Sequence, residues 1–133
     1  MLQVKSYIAP SKIEGIGLFA GEEIKKGTIT WKYTPGFDLE YSQDELDSMA
    51  PSLRDYIKTY ASLSMISNLY ILGSDNVKFT NHSSDPNLEA VIVSGQREKV
   101  AIAKRDIKKG EEMTIDYRTF DQADAVSPQS YLQ

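Results

Sequence analysis

Phe79-Thr80-Asn81-His82-Ser83-Ser84-Asp85-Pro86-Asn87 is the stretch on which the reading of this chain turns. It is denser in polar side chains than a plain connection between strands needs. One reading is a loop of local side-chain to backbone hydrogen bonds, which Asn, Ser and Asp favour. His82 with Ser83, Ser84 and Asp85 also contains the residue types of a hydrolase triad, but a triad is assembled from separate parts of a fold. Four consecutive side chains point in different directions and cannot form that relay, so a serine hydrolase is set aside.

Working outward toward the C-terminus, 88–93 and 99–103 read as strands, and Met113-Thr114-Ile115-Asp116-Tyr117 follows as another alternating run. A tyrosine ending such a strand is ordinarily an amphipathic core residue with its hydroxyl at the surface. The chain has eight tyrosines, so Tyr117 taken alone decides nothing. Toward the N-terminus, 68–72 and 77–80 also read as strands, separated by the turn composition Gly73-Ser74-Asp75-Asn76.

Further upstream, Ser42 precedes Glu45 at the spacing of a capping box, which predicts a short helix. Pro51 then suits the first turn of a second helix, with Leu53, Tyr56, Ile57 and Tyr60 expected on one buried face. Most of the helix is expected within 42–64. From Val4 to Thr34 short apolar runs broken by glycine and Pro10 predict strands and turns. Ile24-Lys25-Lys26-Gly27 and Ile107-Lys108-Lys109-Gly110 echo one another, read here as two similar hairpin turns. The polar tail 121–133 reads as poorly ordered.

Composition narrows the chemistry. At 133 residues, with 41% hydrophobic and 26% charged, one soluble globular domain is the expectation. A small domain that also carries a cleft is stable by a narrow margin, which a homodimer would relieve. The absence of cysteine and the single histidine exclude disulfides, thiolate zinc and multi-histidine metal clusters, so no metal ligand set is predicted. No apolar run approaches the roughly 20 residues of a membrane span, and the first residues lack the apolar core of a secretory signal. A soluble intracellular protein without a membrane partner is expected. The net charge of -4 argues against direct nucleic-acid binding and mildly favours a cationic substrate.

Gly15-Ile16-Gly17-Leu18-Phe19-Ala20 is either a tight turn entering a strand or a backbone approach to a small cofactor. It lacks the third glycine and following helix of a dinucleotide fingerprint. In order along the chain, this glycine motif, Tyr33 with Gly36, Phe79-Thr80-Asn81-His82-Ser83 with Asp85-Pro86-Asn87, and 103–117 ending in Asp116-Tyr117 together resemble the SET-domain protein lysine methyltransferases. The resemblance runs from about Tyr7 to Phe120. It implies a mainly β fold with a small helical insert: a β-clip of small sheets in which the Asn-His-Ser segment and the closing strand form a C-terminal pseudoknot. The domain is placed at 4–120, with the insert at about 42–64.

The resemblance implies S-adenosyl-L-methionine as cofactor and a lysine-containing protein or peptide, histone-like or other, as partner. Carried over, Glu14, Gly15, Ile16 and Gly17 would hold the cofactor's methionine part, and Asn81 and His82 its amino and adenine ends. Tyr117 would be the catalytic tyrosine beside the methyl, and Phe120 would help wall the cofactor. Tyr33 is the second catalytic candidate, and Tyr33 and Ile115 would line the lysine channel. Such an amine, ordinarily near pKa ~10.4, must arrive neutral, and an apolar channel beside a sulfonium lowers it.

Two departures from the family pattern stand out. The Tyr33 element carries an extra residue and lacks the usual glutamates, and no cysteine is present for the zinc-binding segment that closes the site in many members. Phe120 with the tail, or a second subunit, would then supply the missing wall. The alternatives are a SET-fold module that binds a partner without catalysis, and a structural β-clip domain, which gives no reason for the Asn-His-Ser and Asp-Tyr motifs to occur together.

Overall fold

The computed structural model describes residues 1–125. It is built from short strands in three small sheets. The N-terminal hairpin joins β1, Ser6–Pro10, to β2, Ile16–Ala20. The chain continues through β3, Ile29–Trp31, and β4, Leu39–Tyr41. Helices α1, Gln43–Asp47, and α2, Pro51–Tyr60, follow. Next come β5, Ser62–Leu63, and β6, Tyr70–Leu72, then a 3-10 turn at Asn76–Phe79. The remaining strands are β7, Asn81–His82, β8, Leu88–Val91, β9, Val100–Ala103, and β10, Glu112–Ile115. A 3-10 turn at Tyr117–Thr119 and a helical turn α3, Gln122–Ala125, close the described chain.

The strand that places the site is β10. It is antiparallel to β2 on one side, with Met113 opposite Leu18, and parallel to β7 on the other, with Thr114 opposite Asn81 and Ile115 opposite His82. A C-terminal strand thus runs between an N-terminal strand and the Asn81–His82 strand, the juxtaposition a pseudoknot requires. Buried Asn87 extends the pairing. Its amide donates to the Glu112 carbonyl at 2.8 Å, and its oxygen accepts the Thr114 N–H at 2.9 Å. A side chain so used satisfies buried backbone groups where the sheet has no further strand. The core beneath holds Leu18, Ala20, Ile24, Leu88, Ala103, Ile107, Met113 and Ile115.

The two echoing turns are partners. Ile24 and Ile107 exchange both backbone hydrogen bonds, at 2.8 and 2.7 Å, and both side chains are buried in the core. Gly27 and Gly110, with φ of 87° and 89°, turn the chain after each, a conformation glycine adopts without a steric penalty.

The insert differs from its expected packing. The capping box forms as read: the Ser42 hydroxyl accepts the Glu45 N–H, and the Glu45 carboxylate accepts the Ser42 N–H. Pro51 starts α2. Of the expected buried face, however, only Ile57 is buried, while Leu53, Tyr56 and Tyr60 are exposed. The insert is a satellite that docks through Leu46 and Ile57, so most of its apolar stripe meets no sheet. The strand expected at 77–80 is instead the 3-10 turn. Asp75 accepts the Val77 N–H, and Thr80 returns its N–H and hydroxyl to the Val77 carbonyl. Local side-chain bonds outcompete an extended run there.

Part of the tail is ordered by partners far away in sequence. Asp121 bridges Ser64, and the Gln122 amide donates to the Ser64 carbonyl. The rest of the tail, 126–133, lies outside the described residues.

Candidate active site

Tyr117 is held from several directions by elements brought together across β10. Its hydroxyl donates to the Thr80 carbonyl at 2.5 Å. Its backbone N–H donates to His82 Nδ1 at 3.1 Å. Its ring lies 5.3 Å from the His82 ring and meets Phe120 edge-on at 6.0 Å. Immediately before it, Asp116 caps the 3-10 turn by accepting the Arg118 N–H and forms a two-pronged pair with the Arg118 guanidinium at 2.9 and 2.7 Å. That guanidinium holds the Asp116 carboxyl below its ordinary pKa, against the opposing effect of burial.

Two cavities flank this tyrosine. The first is lined by Glu14, Gly15, Ile16, Asn81, Tyr117 and Phe79, with Thr59, Tyr60 and Lys78. Its polar rim is tied by Asn81, whose amide nitrogen donates to the Glu14 carbonyl at 3.1 Å and to Glu112 Oε2 at 3.0 Å. Glu112 in turn accepts the Ser11 hydroxyl at 2.7 Å, and the Ser11 N–H donates to the Gly15 carbonyl at 2.8 Å. Gly15 sits at φ 47° with open space where a Cβ would stand, so its backbone faces the cavity unobstructed. Gly17 serves differently, since a Cβ there would lie 2.5 Å from Glu112 Oε2. Its smallness admits the carboxylate.

The second cavity is a groove lined from Trp31 and Leu2 past Ile115, Tyr117 and Phe120 to Asp121 and Asp124. Phe120 and the first turn of the tail wall this groove, so Phe120 does not line the cavity with Asn81 that the expected cofactor role would give it. Thr59, Tyr60, Lys78 and Tyr117 line both cavities, so Tyr117 stands in their common wall. Among the described residues no cluster of acidic or histidine side chains could hold a metal ion, and no helix is long and apolar enough to cross a membrane.

Of the residues named from sequence, Glu14, Gly15, Ile16, Asn81 and Tyr117 share the first cavity, while Ile115, Tyr117 and Phe120 share the groove. His82 lines neither. Its side chain, 7% exposed, lies beneath Tyr117 and positions that residue's backbone. Tyr33 also lines neither. It is 7% exposed, its hydroxyl donates to the Asp38 carbonyl, and the Arg97 guanidinium covers its ring at 4.9 Å. Burial, foremost, raises its phenol pKa. Packed behind Arg97, Tyr33 lies apart from both cavities, whereas the lysine-channel role expected of it would place it beside Tyr117.

Sequence reading missed Tyr60, Phe79, Lys78 and Thr59, because each sits at the edge of a segment assigned to core or strand. It also missed Glu112, whose only signal is a carboxylate opening a mostly buried strand.

The SET domain family model matches residues 15–118. Histone-lysine N-methyltransferase trr of Drosophila melanogaster is 32% identical over 124 residues, which cover 84% of this chain; the chain spans 5% of that relative's length. A humanized mutant of the Chaetomium thermophilum Polycomb Repressive Complex 2, bound to the inhibitor GSK126, superposes with a TM-score of 0.63 at 25% identity, covering 88% of this chain and 15% of that one. A Plasmodium falciparum protein assigned as a histone methyltransferase superposes with a TM-score of 0.60 at 24% identity, covering 86% of this chain and 93% of that one. That last likeness is one of fold. With the glycine turn, Asn81–His82 and Tyr117 assembled around β10, and the family match spanning most of the length, the chain belongs to the SET domain family.

Proposed function

We propose that this chain is a protein-lysine N-methyltransferase that uses S-adenosyl-L-methionine and acts on a lysine-bearing protein of the histone class. The observation that carries this reading is the position of Tyr117 in the wall common to two cavities. Such a wall lets two substrates enter from opposite sides and meet at one point, and holding reactants in that geometry accounts for much of the acceleration available to a direct displacement.

The first cavity suits the cofactor. It combines backbone at Glu14, Gly15 and Ile16 with the Asn81 amide and the aromatic faces of Phe79 and Tyr60, a mixture fitted to an amino acid at one end and a purine at the other. The cofactor supplies an electrophilic methyl on a sulfonium, so no metal is needed. Asn81 and Glu112 keep the Glu14–Ile16 backbone in place, and the groove past Ile115 and Phe120 excludes water from the incoming lysine stem.

Tyr117 orients the amine. A phenol that donates its proton, here to the Thr80 carbonyl, still has oxygen lone pairs that can accept. An N–H of a neutral amine donated to that oxygen turns the nitrogen lone pair toward the first cavity. The same apolar surroundings disfavour the ammonium form and bring the amine in deprotonated.

The test is incubation with labelled S-adenosyl-L-methionine and histone proteins, with Tyr117→Phe in parallel, alongside calorimetry of cofactor binding. Cofactor binding with label on lysine in the wild type, and label lost in Tyr117→Phe, is the expected result. Absence of cofactor binding, or binding without transfer to lysine, would overturn it.

A further inference from the structure

The groove beyond Tyr117 holds one group that the transfer reaction does not use. Glu98 is 5% exposed and lines the groove. Its Oε1 accepts the hydroxyl of buried Ser64, and its Oε2 has no hydrogen-bond partner among the described residues. Trp31, in the same groove, has an indole Nε1 that is likewise buried and unpartnered among them.

A buried carboxylate with a bare oxygen is costly unless a cation or donor reaches it. Three lysines, Lys58, Lys78 and Lys99, also line the groove, and none is bonded to Glu98 among the described residues. Lys99 Nζ donates to the Thr119 carbonyl at 2.8 Å and Lys78 Nζ to the Asp75 carbonyl at 3.3 Å, and no ion pair reaches Glu98 among the described residues. Glu98 is anchored at Oε1 by a hydroxyl that is itself fixed. The Ser64 hydroxyl that donates to it also accepts the Ile66 and Ser67 N–H groups, both at 3.0 Å. Asp121 and Asp124 line the end of the groove beside it, and burial raises the Asp121 carboxyl above its ordinary value. The walls between are apolar or aromatic: Trp31, Met65, Tyr60 and Phe120. A buried carboxyl with a bare oxygen among apolar walls suits a long aliphatic stem that ends in a cationic donor.

We propose that Glu98 forms a second subsite, distinct from the position of the target lysine, which receives another basic side chain of the same substrate. The inference rests on the methyltransferase reading for the identity of the ligand. The substrate class follows: a lysine protein whose target lies close in sequence to a second arginine or lysine, as both side chains enter one groove. Substrates with an isolated lysine bind without the Glu98 contact.

Trp31 is the only tryptophan of the chain, so its emission reports on the groove whether or not transfer occurs. The full chain is titrated with lysine peptides in which one flanking position at a time holds arginine, lysine or the neutral isostere citrulline. With wild type, one flanking position should show a change in Trp31 emission and affinity at least tenfold tighter for arginine or lysine than for citrulline. In Glu98→Gln that ratio should fall to near one, and Glu98→Asp, which restores charge, should recover part of it. Thermal melting of each variant separates loss of the subsite from loss of fold. Equal affinity for basic and neutral flanks at every position in the wild type would overturn the proposal, as would a ratio in folded Glu98→Gln matching wild type. The same peptides incubated with labelled S-adenosyl-L-methionine test the methyltransferase reading separately: charge-selective binding without transfer sinks that reading and not the subsite.

Discussion

The two cavities on either side of Tyr117 are built by opposite means. The one at Asn81 is closed by hydrogen bonds: Asn81, Glu112, Ser11 and Gly15 form a continuous chain of donors and acceptors. The groove is made of apolar and aromatic walls contributed by β3, α2, β9 and the tail, and it leaves buried polar atoms of Glu98 and Trp31 without partners among the described residues. A satisfied network rigidifies a site for one ligand, whereas unsatisfied groups in an apolar groove are poised for a partner that brings its own polar atoms. On the proposed methyltransferase reading, the difference separates a pocket preorganised for an invariant small molecule from a surface tuned to a particular protein.

The largest effect is expected at the wall itself. Tyr117→Phe removes the hydroxyl from both sides, and methyl transfer should fall by about 10²-fold or more, the scale of losing one positioned polar group in a reaction centre. Cofactor affinity measured by calorimetry should change little.

Next is Glu112→Gln, which acts on the polar cavity alone. Hydrogen bonds to a charged group contribute about 1.5–3 kcal/mol, so loosening the Glu14–Ile16 backbone should weaken cofactor binding roughly tenfold. Peptide binding in the groove, read from Trp31, should be unaffected.

A smaller effect concerns pH. The folded Asp116 carboxyl lies below its ordinary value because of Arg118. Its contribution is therefore present above the unfolded pKa and is lost as pH falls through the folded one. Asp121 is raised by burial, so its contribution is present below the unfolded pKa and is lost as pH rises through the folded one. Melting temperature against pH should show the acid-side loss diminished in Asp116→Asn and the loss on rising pH diminished in Asp121→Asn. Because the Arg118 side chain is exposed to solvent, screening should keep the first effect small.

The smallest expected effect is that of Tyr33→Phe. Its hydroxyl makes one long bond, 3.4 Å, to the Asp38 carbonyl and lines neither cavity. Transfer rates should stay within about twofold, the scale of changes away from a site. A loss like that of Tyr117→Phe would put Tyr33 back in the channel.

Much of the fold was legible where the signal is local. The capping box at Ser42, the Pro51 start of α2, the turns at Gly27 and Gly110, and strands β2, β8, β9 and β10 follow from side chains that act on their own backbone. The first cavity was legible too, since Gly15, Asn81 and Tyr117 occur in motifs whose order along the chain is itself informative. Misreadings came where a local pattern met a distant surface. Leu53, Tyr56 and Tyr60 have a core-like period but no sheet to bury against, and Tyr60 borders the cleft instead. Val77 was drawn out of a strand by the Asp75 cap and by the space beside Gly73, where a Cβ would lie 2.2 Å from the Val77 side chain.

What this sequence determined alone is the set of turns, caps and short strands, and the motifs that meet at the first cavity, because those depend on residues within a few positions of one another. Tertiary structure alone decided which side chains face it. His82 went under Tyr117, Tyr33 went behind Arg97, and Glu98 came to rest against Ser64, thirty-four positions earlier. Each outcome depends on β10 threading between strands from distant parts of the chain, and on a buried charge finding, or lacking, a partner from another segment. No pattern within a single stretch of sequence carries that information.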